Sequence, residues 1–134
     1  MVDSAAFRGL GEGDTDVKIV EIDVFQHDLP VKNAPYRMGV QEVRHLDTTI
    51  VRLVCDDGTV GYGETCPLGA TYQPQHALGV RAALAEMVPH LIGLDPTAMG
   101  RVNAAMDATL MGHRYAKAAI DVACWDTTGK FYGA

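Results

Sequence analysis

Residues 48–65 read TTIVRLVCDDGTVGYGET, and this stretch decides what kind of fold the chain can adopt. A strand is expected from about Arg44 to Asp56. Thr49, Ile50, Val51, Leu53 and Val54 are β-formers, and apolar side chains fall on both faces of the pleat. Asp57-Gly58 then supplies the chemistry of a two-residue hairpin turn. A further strand is expected over Thr59 to Thr65, with Gly61 and Gly63 on one face and Val60, Tyr62 and Glu64 on the other. Two glycines on one face leave it bare of side chains, so another backbone or side chain can approach closely.

Upstream, Val17 to His27 reads as the first strand, with Val20, Ile22 and Val24 on one face and Glu21 and Asp23 on the other. The three strands make an antiparallel meander. Between the first two lies Asp28 to Met38, a loop carrying Pro30, Asn33 and Pro35 that exceeds the ~2–5 residues of an ordinary hairpin connection. Long ordered loops tend to be functional, so this one is a candidate. Residues 1–16, with Gly9, Gly11 and Gly13 among acidic spacers, read as a flexible leader or as an upstream extension of the real start. They lack a basic stretch followed by an apolar core, so a signal peptide is not expected there.

Downstream, a second long loop runs from Cys66 to Gln73, and then the period turns helical. Ala77, Val80, Leu84 and Met87 form one stripe, ended by Pro89. Asp95-Pro96 is expected to cap and open the next helix, whose stripe is Met99, Val102, Met106 and Leu110, with Gly112 at its C-terminal cap. A last helix is expected from about Arg114 to Thr128, stopped by Gly129. Ala116, Ala118, Ala119, Ile120, Val122, Ala123, Cys124 and Trp125 cover most of its circumference. A helix apolar nearly all round is buried on more than one side, and a small meander with two other helices covers only part of it. A further packing partner is expected, either more chain or another subunit. Trp125 and the Met99–Met106 stripe are expected in the core, with Trp125 near that contact.

The 134 residues are 48% hydrophobic and 21% charged, the balance of a soluble globular domain. A net charge of −6 disfavours nucleic acid and anionic membrane as partners. No apolar run reaches the ~18 residues of a membrane helix. Cys55, Cys66 and Cys124 are odd in number and widely spaced, so a disulfide framework is not expected and a reducing cytoplasm fits. His27, His45, His76, His90 and His113 lack the spacing that sets two histidines on one helix face, so no zinc site is expected.

Four segments in order, VKIVEIDVFQHDLP, DDGTVGYGETCPLGATY, PHLIGLDP and YAKAAIDVACWDTTGK, resemble the amino-terminal domain of the mandelate racemase/muconate lactonizing enzyme group in the enolase superfamily. The resemblance spans about residues 17 to 133. The pairing of HDLPVKNAPY with ETCPLGATYQPQHA is most similar to the cis-3-hydroxy-L-proline dehydratases and hydroxyproline betaine epimerases. The resemblance implies an α+β fold over 17–134, a three-stranded meander followed by a helical bundle, that caps the open end of a TIM barrel. Two loops, here Asp28–Met38 and Thr65–Gln73, would close over a small amino-acid substrate. The barrel would hold Mg²⁺ on three carboxylates and carry a Lys-x-Lys base that takes the proton α to the substrate carboxylate, with dehydration or epimerisation following.

This sequence has no Lys-x-Lys, and a TIM barrel takes ~200–250 residues. The chain is therefore expected to lack its barrel, with no cofactor or catalytic residue of its own and Mg²⁺ needed only with that barrel. The intact enzyme is expected to be a homo-oligomer. By the resemblance, Tyr72 and Tyr36 face substrate, Leu29 and Val31 line an apolar wall, and Thr65 and Cys66 flank the mouth. Against these stand blander readings: tyrosines that pack or shield their loops, and a Cys66 that is a small buried hydrophobe. Glu64 reads as structural. Asp121 and Asp126, five apart, face different ways on their helix. His113 is expected at a helix start. Two other readings stay open: a stand-alone small-molecule or protein-interaction module without catalysis, and a domain whose barrel is a separate polypeptide.

Overall fold

The computed structural model describes residues 15–134; the expected leader falls almost wholly on residues 1–14, outside the described residues. Three long strands, β1 (Ile19–Pro30), β4 (His45–Cys55) and β5 (Val60–Thr65), form an antiparallel sheet in the order β1-β4-β5. Two short strands, β2 (Tyr36–Met38) and β3 (Gln41–Val43), make a separate hairpin inside the β1–β4 connection. Three helices follow, α1 (Ala77–Met87), α2 (Met99–Thr109) and α3 (Arg114–Tyr132). The meander and helical bundle expected from the sequence are present.

The core lies between the sheet and the helices. Val51, Leu53 and Cys55 of β4 point inward against Val80, Leu84 and Met87 of α1, Val102 and Met106 of α2, and Ala119, Ile120 and Ala123 of α3. Alanines along α3 and Gly61 and Gly63 on β5 let that helix lie directly on the strand. A Cβ at Gly61 would come 2.9 Å from the Thr127 amide nitrogen. The close approach expected of the two glycines is what the structure shows.

Several local expectations are corrected. β1 has a register shift between Ile19 and Glu21 that moves Ile19 to the buried face, so Val20 is half exposed and Val24 rides at the rim. Ile19 also pairs backbone to backbone with the segment before α2: its N–H donates to the Leu94 carbonyl at 2.9 Å, and its carbonyl accepts from Gly93 at 2.8 Å. Asp28–Met38 is only in part a loop, because β1 continues to Pro30 and Tyr36–Met38 is β2. The β4–β5 turn holds three residues, Asp56 to Gly58, between Cys55 and Thr59, whose N–H and carbonyl are bonded at 2.9 Å. Gly58 takes the positive φ of +85° that closes such a turn.

Asp95 does not cap α2, which begins at Met99. Its carboxylate instead accepts from the Thr97 amide and hydroxyl at 2.8 and 2.7 Å, and from the Thr15 amide and hydroxyl at 2.9 and 2.8 Å. That node ties the start of the described chain to the turn before α2. Gly112 sits in the α2–α3 turn beyond the helix cap at Leu110. Gly129 does not stop α3, which runs on to a left-handed Gly133.

Trp125 is the largest correction. It is 59% exposed rather than core. α3 buries Ala116, Ala119, Ile120, Ala123, Cys124 and Thr127, while Val122, Trp125 and Tyr132 lie on its outer face, 49%, 59% and 61% exposed. The sheet and the other two helices cover one side of α3 only.

Candidate functional site

The site is built on the two connections flanking the β4–β5 hairpin. In the first, β2 and β3 pair Tyr36 with Val43, Arg37 with Glu42 and Met38 with Gln41. Glu42 is held by Arg37 at 3.1 Å and Arg44 at 3.3 Å. This hairpin presents its turn, Gly39-Val40, outward. The second connection leaves β5 at Thr65 and reaches α1 at His76, whose Nδ1 accepts from the Gly79 amide at 3.3 Å.

The two connections meet. Met38, Gly39, Val40 and Gln41 face Thr71 and Tyr72 across a cleft of about 400 Å³. A more polar groove of about 380 Å³ continues along β3 and the start of β4, with His45 and Asp47 on one bank and Pro67, His76 and Leu78 on the other.

Arg81 of α1 holds Asp47 in place on the bank of that groove. Its guanidinium donates twice to the Asp47 carboxylate, at 2.8 and 3.0 Å, and once to the Thr49 hydroxyl at 3.2 Å. Gln26 of β1 adds a donor to Asp47 at 3.2 Å and another to Asp28 at 2.8 Å. The Arg81 hydrogen bond holds the Asp47 carboxyl below its ordinary range, against an opposing push from burial. One helix and two strands are thus pinned together beside that groove.

Of the six residues singled out from the sequence, Tyr72 is the one that lines the cleft, and it is 61% exposed. Tyr36 is half exposed on β2 and lies outside the cleft lining. Leu29 is half-buried across the ladder from Leu46. Val31 is half-buried and donates its N–H to the Arg44 carbonyl at 2.9 Å. Thr65 is buried on the glycine face of β5, and its carbonyl accepts from the Thr48 hydroxyl at 3.3 Å. Cys66 is half-buried, and burial pushes its thiol up, away from the reactive thiolate.

The other carboxylates singled out from the sequence, Glu64, Asp121 and Asp126, have structural partners. Glu64 accepts from the Thr48 hydroxyl at 2.6 Å. Asp121 accepts from Asn103 at 3.2 Å. His113 sits at the start of α3 in a left-handed conformation. Cys55, Cys66 and Cys124 are all free thiols. Among the described residues, no three His, Cys, Asp or Glu side chains form a group able to hold a metal ion, and no step is assigned to a metal on this chain. No helix among them is long and apolar enough to cross a membrane. The cleft offers a phenol, a carboxamide and an apolar wall, which can bind and orient a ligand.

Met38, Val40, Gln41 and the Arg81–Asp47 clamp were missed in the sequence. The available signal was Arg81 itself, a cation on a helix whose neighbours Val80, Ala83 and Leu84 are buried.

A three-stranded antiparallel sheet backed by three helices, with two connections converging at one end, defines an α+β domain. Residues 19–134 match the model of the family described as Mandelate racemase / muconate lactonizing enzyme, N-terminal domain, and the chain belongs to that family. It is 51% identical over 118 residues to the cis-3-hydroxy-L-proline dehydratase of Roseibium aggregatum, covering 87% of this chain and 32% of that protein. The N-succinyl-L-Arg/Lys racemase of Bacillus cereus is 31% identical over 114 residues, 85% of this chain and 31% of the racemase. A crystal structure of an enolase-superfamily member from Roseovarius nubinhibens superposes with a TM-score of 0.81 at 43% identity, over 87% of this chain and 32% of that one. The chain thus spans about a third of the length of these relatives.

Proposed function

We propose that this chain is the substrate-capping and specificity domain of an enzyme that abstracts the proton α to a carboxylate, acting on hydroxyproline-type amino acids by dehydration or epimerisation. The cleft between Met38–Gln41 and Thr71–Tyr72 carries this reading, because it joins the two connections in which the sequence resembles hydroxyproline-type enzymes. The 51% identity to a cis-3-hydroxy-L-proline dehydratase supports the same substrate class.

In this reading Tyr72 contacts the substrate, and Tyr36, Leu29 and Val31 line the approach. Thr65 and Cys66 set the base of the second connection. A separate barrel supplies the base and the magnesium site, so the chain by itself is inactive. The outer face of α3 is where the rest of the enzyme packs. The intact enzyme is a homo-oligomer of the cytoplasm.

The test is a chimera in which residues 19–134 replace the matching segment of the Roseibium aggregatum dehydratase. Turnover of cis-3-hydroxy-L-proline should persist, and Tyr72→Ala should raise KM by about fivefold, the loss expected of a substrate hydrogen bond of about 1 kcal/mol. A folded chimera in which Tyr72→Ala leaves KM and kcat untouched would remove Tyr72 from the site. One without turnover, beside an active parent, would count against the substrate class.

A further inference from the structure

β5 is an edge strand of the sheet. Gly61 and Gly63 sit opposite Leu53 and Val51 of β4. The Tyr62 N–H and the Val60 carbonyl are engaged on the other side, facing away from β4. On an edge strand such groups are an open template for another strand. Here both are occupied by side chains of α3. The Tyr62 amide donates to Asp126 Oδ2 at 2.8 Å, and Lys130 Nζ donates to the Val60 carbonyl at 2.9 Å.

Asp126 and Lys130 are one helical turn apart and are themselves joined at 2.7 Å. The Lys130 ammonium also lies 5.4 Å from the centroid of the Tyr62 ring. An acceptor and a donor, presented side by side, thus reproduce what an incoming strand would offer. They can reach the edge only because the two glycines bring α3 down onto β5. At Ile19 of β1 the outward-facing groups are satisfied differently, by the backbone of Gly93 and Leu94.

We infer that the Asp126–Lys130 pair closes the β5 edge against strand addition by a second copy of this chain. The pair does more than dock α3, whose buried alanines and Ile120 already hold it to the sheet.

The experiment compares the full chain with Asp126→Ala/Lys130→Ala and with Val102→Ala, which weakens the core but leaves the edge closed. Amide exchange at Tyr62 is followed by NMR as protein concentration rises, alongside sedimentation. In dilute solution the double variant should exchange its Tyr62 amide about tenfold faster than the parent, as expected for loss of one hydrogen bond. Raising the concentration should then slow that amide as β5 finds a partner strand, while Val102→Ala shows no such local protection. Exchange independent of concentration in the double variant, with association no greater than in Val102→Ala, overturns the inference. Should the double variant not fold, Lys130→Met frees the Val60 carbonyl and leaves Asp126 in place to accept from the Tyr62 amide. It should associate through β5 more than the parent does, and equal association overturns the inference as well.

Discussion

Gly63 of β5 lies directly beneath Ala119 of α3: a Cβ built on the glycine would overlap the Ala119 carbonyl oxygen and come within 2.8 Å of the Ala123 amide nitrogen. The obstruction is helix backbone, which cannot swing aside as the end of a long side chain can. Gly63→Ala should therefore cost about 3 kcal/mol, at the upper end of overpacking penalties. Gly58 makes a useful contrast, with open space around its missing Cβ and a φ of +85°. There alanine should cost about 1 kcal/mol, from backbone strain alone. Denaturant midpoints at unchanged slope would separate the two, and equal losses would mean that α3 does not rest on the strand as described.

Acid should unfold the domain through Asp95, Asp126 and Asp47, whose carboxyls are all lowered in the fold. Burial pushes the Asp95 carboxyl up, but hydrogen bonds from Thr97 and Thr15 outweigh it and leave it below the ordinary 3.8. Asp126 is lowered chiefly by Lys130 and Asp47 by Arg81. A depressed carboxyl stabilises the fold above its unfolded value and loses that contribution as pH falls through the folded one. Stability should thus be flat near neutrality and fall below about pH 4. Asp95→Ala should cost about 3 kcal/mol at neutral pH, by stranding Thr15 and Thr97, and should flatten the acid limb. An acid limb as steep as the parent's in that variant would exclude Asp95 as one of its sources.

The thiols predict the alkaline side. Burial raises Cys55 and Cys124 to about 12, so both remain neutral in the folded state at pH values where the unfolded chain, at the ordinary 9.0, ionises them. Stability should fall as pH rises from that ordinary value toward the folded one. At mildly alkaline pH a thiol reagent should modify half-buried Cys66 first and reach the other two only on unfolding. Prompt labelling of Cys124 in folded protein would contradict its burial.

The two faces of α3 should respond in opposite ways to truncation. Ile120 is fully buried, and Ile120→Ala should cost about 3 kcal/mol. Trp125 is 59% exposed, and Trp125→Ala should change the stability of the isolated chain by less than about 0.5 kcal/mol. A loss at Trp125 as large as at Ile120 would place the tryptophan in the core after all.

The fold was legible because its signals were local and redundant. Glycine alternation at Gly61 and Gly63 announced a close approach on that face, and 3.6-residue stripes found Val80, Leu84, Val102 and Met106. What escaped was set by tertiary pairing. The shift after Ile19 answers to Gly93 and Leu94, more than seventy residues away in the chain, and Asp95 turned from helix cap to tether because Thr15 and Thr97 reach it. Gly129 is carried within α3 because the helix is held to β5 beyond it by Lys130. Of the site, resemblance pointed to Tyr72, but its neighbours Met38, Val40 and Gln41 come from a hairpin with no strong turn signature. Trp125 was misplaced for an instructive reason: an all-round apolar helix signals burial without naming what does the burying.

The outer face of α3 therefore tests the central claim, that this chain is one part of a larger enzyme. Hydroxyl-radical footprinting would compare oxidation of Val122, Trp125 and Tyr132 in the isolated chain and in the chimera with the dehydratase barrel. Strong labelling of all three in the isolated chain, and protection of Trp125 and Val122 in the chimera, is the predicted result. Equal labelling in both proteins, with the chimera folded, would show that the rest of the enzyme does not cover this face and would contradict the account.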